Sequence, residues 1–150
     1  MQVNSLVQNQ HTKPITRCIF RKGDSILVAK GFDSQKGETF YRPPGGKIDF
    51  GEYSWATVRR QIKEAIGEEI KNLTFVGPLE SIFQYEGNEC HEIVFVFEGE
   101  FVNKQMYTQS QITTQGTDGK TLTIEWKPLS DFHRKKAMLY PDGLIDMLDR

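Results

Sequence analysis

"GGKIDFGEYSWATVRRQIKEAIGEE", residues 45–69, sets a glycine pair, a short connection and a helical period side by side. Trp55, Val58, Ile62 and Ile66 recur there at spacings of 3, 4 and 4. On a 3.6-residue period those spacings draw one apolar stripe, which predicts a helix over residues 53–66. Gly67 follows the last apolar position and is the natural stop. With successive side chains turned by about 100°, positions 61, 64 and 65 share an arc of about 100° beside the stripe. Acidic groups on all three would converge on one point, as a hard cation such as Mg²⁺ requires. The chain carries Gln61, Glu64 and Ala65 there, so one carboxylate of the three is present.

Working outward, "TFYR" (39–42) reads as a short strand that stops at Pro43-Pro44-Gly45-Gly46, where two prolines and two glycines predict a turn. "PITRCIFR" (14–21) and "SILVAK" (25–30) are β-prone runs around Gly23-Asp24, a hairpin signal. Beyond the helix, β-like runs over 73–85 and 91–101 meet at Gly87-Asn88. Residues 103–120 are polar enough to predict a long mobile connection. "TLTIEWKPL" (121–129) is a further strand, and "PDGLIDMLDR" (141–150) a terminal helix capped near Asp142. A β-rich order with one central and one late helix predicts the α/β class, in an α+β arrangement whose mixed sheet lies between helices. Residues 1–12 read as a polar tail and 13–150 as a single domain.

Composition narrows the function. A hydrophobic share of 37% with 26% charged residues suits a soluble globular chain rather than a disordered one. The formal net charge of −1 provides no basic field for nucleic acid as a bulk partner, which turns the search to small ligands. The longest apolar run, "IVFVF" at 93–97, is far short of the ~20 residues of a membrane helix. The first dozen residues lack the basic and apolar regions of a secretory signal. Cys18 and Cys90 have no CxxC spacing, and two buried thiols in a reducing cytoplasm are expected.

Residues 46–68 resemble the box of the Nudix hydrolases, GX5EX7REUXEEXGU with U a bulky aliphatic. Gly46, Glu52, Arg60, Ile62, Glu64 and Gly67 match; Gln61, Ala65 and Glu68 do not. "FYRPPGGKIDFGE" and "HEIVFVFEGEF" are similar to the sheet segments of that family. The resemblance implies a Nudix-like α/β/α sandwich with a loop–helix–loop catalytic segment. It also implies Mg²⁺- or Mn²⁺-dependent cleavage of a phosphoanhydride in a nucleoside diphosphate linked to another moiety. By position, Gly45 would offer its carbonyl and Glu64 its carboxylate to the metal, while Glu52 and Arg60 would brace the loop against the helix. Gln61 stands where some members activate water.

The substitutions have direct chemical consequences. Gln61 cannot take up a proton near neutral pH, so a general base at that position is lost, typically about 10²–10⁴ in rate. Ala65 has no ligand atom. Glu68, with Glu69 nearby, would reach the same arc if the helix continued past Gly67, and otherwise both are exposed charges at a helix end. Glu125 and Asp118 are candidates for a late acid, or else ordinary surface charge. Arg42 is a candidate to meet a phosphate by paired hydrogen bonds, with a solvated strand-end arginine as the plain alternative. Phe83 and Tyr85 are candidates to stack on a base, or core aromatics of an alternating strand. Trp55 and Trp126 are assigned to packing. The expectation is a Nudix-type hydrolase with weak or no turnover, the alternative being a non-catalytic nucleotide-binding or regulatory module of that fold, with a homodimer admitted as its assembly.

Overall fold

The computed structural model describes residues 10–117 and 119–149, so most of the expected N-terminal tail and Asp118 lie outside the described residues. Strands β1 (Thr12–Ile19), β2 (Arg21–Lys22), β3 (Ser25–Asp33), β4 (Glu38–Arg42) and β5 (Gly45–Lys47) precede helix α1 (Ser54–Ile66). Then come β6 (Ile70–Tyr85), β7 (Asn88–Phe101), a 3₁₀ turn (Lys104–Tyr107), β8 (Gln111–Gln115) and β9 (Thr121–Pro128). Helix α2 (Leu129–His133), β10 (Met138–Leu139) and helix α3 (Leu144–Leu148) complete the order. One sheet runs β5-β1-β7-β6 and the other β10-β4-β3-β9-β8. Both are mixed, because β1 pairs in parallel with β7 and β10 in parallel with β4.

Strand alternation puts helices on both faces. Cys18 and Phe20 share a buried cluster with Leu27, Ala29 and the α1 residues Val58, Ile62 and Ile66. The opposite phase, Ile15, Ile19, Ile26 and Val28, packs with Phe132 of α2 and with Leu144 and Leu148 of α3. The result is the α/β/α layering expected from the sequence. Gly67, at φ 82°, ends α1 by donating its N–H to the carbonyls of Ile62 and Lys63 at 3.3 and 2.9 Å.

Several expectations are corrected. The run 14–21 divides at Phe20: β1 belongs to the first sheet, while β2 forms the Gly23-Asp24 hairpin with β3 in the second, Lys22 facing Ser25. Pro43 and Pro44 do end β4, but Gly45 and Gly46 are an edge strand against β1 rather than a turn. A Cβ on Gly45 would lie 2.0 Å from the Thr16 carbonyl oxygen, so β5 reaches β1 this closely because Gly45 has none. Residues 103–120 are not a long loose connection, since β8 pairs with β9 over five positions. Of its five residues, QITTQ, only Ile112 is apolar, which hides a strand from a reading based on hydrophobicity. Trp55 is 54% exposed and leaves the apolar stripe. Gly143, not Asp142, is the N-cap of α3, with no side-chain cap. Cys90 is half-buried rather than buried. Among the described residues no helix is long and apolar enough to cross a membrane.

Candidate functional site

The box residues converge at the start of α1. Arg60 donates from Nε to Glu52 Oε2 at 2.8 Å and from Nη2 to Glu52 Oε1 at 2.9 Å, a bidentate pair across one helical turn and the preceding loop. Thr57 Oγ1 donates to Glu52 Oε1 at 2.7 Å. The Arg60 hydrogen bonds first, then that of Thr57, bring the Glu52 pKa down to about 2, and the same pairing raises that of Arg60. Arg60 Nη1 also reaches Glu64 Oε2 at 3.1 Å, and Nη2 lies 3.3 Å from Asp49 Oδ2. One guanidinium therefore gathers three carboxylates, and the Glu64 side chain stays 43% exposed.

Gln61 packs against Gly46, where an added Cβ would meet its Cδ at 2.5 Å. The edge position of β5 decides what Gly45 can do. Cys18 N–H donates to Pro44 O at 2.8 Å and Ile48 N–H to Pro14 O at 3.0 Å. Antiparallel alternation then turns the Gly45 carbonyl away from β1. A main-chain oxygen directed off a sheet edge and one partly exposed carboxylate suit a single Mg²⁺ completed by water and phosphates. Among the described residues no three His, Cys, Asp or Glu side chains are grouped as a metal ion would need, so water and phosphate would have to supply most of the ligands.

Of the other expected ligands, Glu68 follows the left-handed Gly67 and so leaves the helical arc; its Oε1 accepts from Asn103 Nδ2 at 3.2 Å. Glu125 is on β9 between Ile124 and Trp126, which pack toward α1, and strand alternation turns it to the other face. Neither joins Glu64. Instead, the end of α1 is met by the segment around β8, where Thr117 N–H donates to Glu64 O at 3.2 Å and Thr114 Oγ1 to Ala65 O at 2.7 Å. A shallow groove there is lined by Gln61, Glu64, Ala65 and Lys120.

A second concavity of about 220 Å³ lies between the two sheets and brings together Arg42, Phe83 and Tyr85, the three residues read as substrate contacts. Phe40 and Tyr140 complete an aromatic side, the Phe40 ring standing edge-on to Tyr85 at 5.9 Å and to Tyr140 at 5.4 Å. Gly31 makes room for Phe40, since a Cβ there would meet the ring at 2.4 Å. Arg17 reaches the cavity from β1 and went unnoticed in the sequence. The available signal was its phase: in "PITRCIFR" it shares the inward parity of Ile15 and Ile19. At the far end, Asp33 accepts at Oδ1 from Gln35 N–H (3.0 Å) and Lys36 N–H (3.2 Å) and at Oδ2 from Glu86 N–H (3.3 Å). Burial opposes ionisation of Asp33, but these amides outweigh it and hold the carboxyl below its ordinary range.

A family model described as NUDIX domain matches residues 11–147. No curated protein matches the sequence. Among solved structures, the chain is similar to a NUDIX hydrolase from Nitrosomonas europaea at 15% identity and a TM-score of 0.63, over 93% of this chain and 87% of that one. A mutator MutT protein from Bacillus halodurans aligns at 24% identity and a TM-score of 0.56, over 92% and 80%. A UDP-X diphosphatase aligns at 14% and 0.63, over 92% of this chain and 61% of that one. At such identities the likeness is one of fold.

Proposed function

Because the chain belongs to the NUDIX family, we propose that it takes a nucleoside diphosphate derivative and cleaves its phosphoanhydride slowly, at a site reduced to one helical carboxylate. The observation that carries this reading is the partly exposed Glu64 carboxylate on the helix of a chain that matches the family over residues 11–147, at a site whose neighbouring positions are Gln61 and Ala65. Glu64 and the outward carbonyl of Gly45 would hold one Mg²⁺ or Mn²⁺. Such an ion, when bound, neutralises charge developing on the leaving phosphate. Arg60 and Glu52 keep the loop fixed to α1, which maintains the register between Gly45 and Glu64. Arg42 meets a phosphate, and Phe83 and Tyr85 flank the base. Gln61 can orient a water by hydrogen bonding but accepts no proton, so attack proceeds without a general base. The second reading, a binding module without turnover, is favoured by the 3.1 Å ion pair of Glu64 with Arg60, which already supplies Glu64 with a cation.

The test is a metal-dependent hydrolysis screen over nucleoside triphosphates, ADP-ribose, nucleotide sugars and dinucleoside polyphosphates. The parent is run beside the Gln61→Glu/Ala65→Glu double variant, which is expected to exceed it by about 10²–10⁴-fold. A parent as fast as the double variant, with Glu64→Ala harmless, would show that the metal platform has been assigned to the wrong residues. Tight nucleotide binding by a silent parent would select the module.

A further inference from the structure

The cavity between the sheets contains a charge that the fold does not use. Arg17 is 8% exposed. Among the described residues its side chain makes one hydrogen bond, from Nη1 to Pro43 O at 3.3 Å, and no ion pair. Enclosing a guanidinium without a carboxylate is among the costliest placements a fold makes. Its remaining N–H groups are not sealed away, because Ser81 Oγ is the one buried side-chain polar atom without a partner among the described residues. They therefore open to the cavity.

The surroundings sharpen the point. Arg42 enters the same cavity from the other sheet, its guanidinium 5.9 Å from the Phe40 ring centre. Burial first, and the charge of Arg42 second, pull the Arg17 pKa down to about 9, with Glu92 opposing them, so Arg17 is still charged at neutral pH. Asp33 pairs with neither arginine, its oxygens being engaged by three backbone amides. Glu38 and Glu92 line the wall yet pair with neither arginine. Lys13 and Lys36 add further positive charge to the lining.

We infer that Arg17 and Arg42 form a phosphate receptor inside the cavity, gripping a phosphate whose attached ring lies among Phe40, Phe83, Tyr85 and Tyr140. Guanidinium forks match phosphate oxygens in pairs, and two forks from different sheets let one anion bridge both. The ring half of this inference rests on the nucleotide reading; the anion half stands on Arg17 alone. A ligand lacking the phosphate leaves the buried charge unpaired and is rejected.

The experiment uses full-length protein in EDTA, so that metal plays no part, with inorganic phosphate, AMP and adenosine as probes. AMP is expected to bind at least about tenfold more tightly than adenosine, and phosphate alone to raise the melting temperature by mass action. Arg17→Met is expected to abolish the AMP advantage and to melt about 2–4 °C higher than the parent without ligand, because it removes an uncompensated buried charge. A merely structural arginine would give the opposite sign. Arg17→Lys, which keeps the charge but not the fork, is expected to lose most of the AMP advantage. Equal binding of AMP and adenosine by the parent, with no phosphate effect, overturns the receptor whatever the variants do. A parent that hydrolyses none of the screened nucleotides yet shows the phosphate effect retains the receptor and loses the hydrolase reading.

Discussion

Gly45 is where two demands fall on one residue. Its missing side chain lets β5 come so close to β1 that a Cβ would sit 2.0 Å from a main-chain oxygen, and its carbonyl, turned off the sheet edge, is the one proposed to meet a cation. Gly45→Ala is therefore expected to destabilise the protein by about 1–3 kcal/mol, read by denaturant unfolding, since backbone and not a pliable side chain stands in the way. An unchanged midpoint would mean that the edge strand can move off at little cost. The contact of Glu52 with Arg60 was legible because the spacing of the box along the chain is itself the signal. Arg17 was not, because its meaning depends on β1 lying opposite β4 across a cavity, a juxtaposition that no local pattern encodes.

At the scale of the element, α1 is held to its loop by charge as well as by its stripe. Glu52, with its pKa lowered from 4.5 to about 2, contributes stability that is fully present above pH 4.5 and is lost as pH falls through about 2. Urea unfolding at a series of pH values is expected to show the parent weakening across that window, and Glu52→Gln lacking that part of the slope. Parallel curves would remove Glu52 from the role of brace. The helix itself was readable to within a residue at its start, because Val58, Ile62 and Ile66 must share one buried side. Strand β8 was unreadable for the opposite reason: of its five residues only Ile112 is apolar and packs on the core, and the bonds to β9 and to the end of α1 leave no mark in the sequence.

Across the whole molecule, the two sheets are joined at their tips as well as through the core. Asp33 accepts from Glu86 N–H, and the Ser34 N–H and hydroxyl both donate to the Glu86 carboxylate, so the β3–β4 and β6–β7 turns are sewn together. Asp33→Ala is expected to speed amide exchange at Gln35, Lys36 and Glu86 by about tenfold while Ile124 in the core is unaffected. Equal rates in both proteins would mean that the tips stay together without Asp33. The mixed α/β/α layering was visible in the order of elements, but this stitching was not, because it joins residues more than fifty positions apart. The sewn tips border the space between the sheets, since Asp33 both holds the seam and lines the cavity. Loosening the seam is therefore expected to be felt by whatever the cavity takes in, and a tight ligand there to be felt in turn by the amides of the tips.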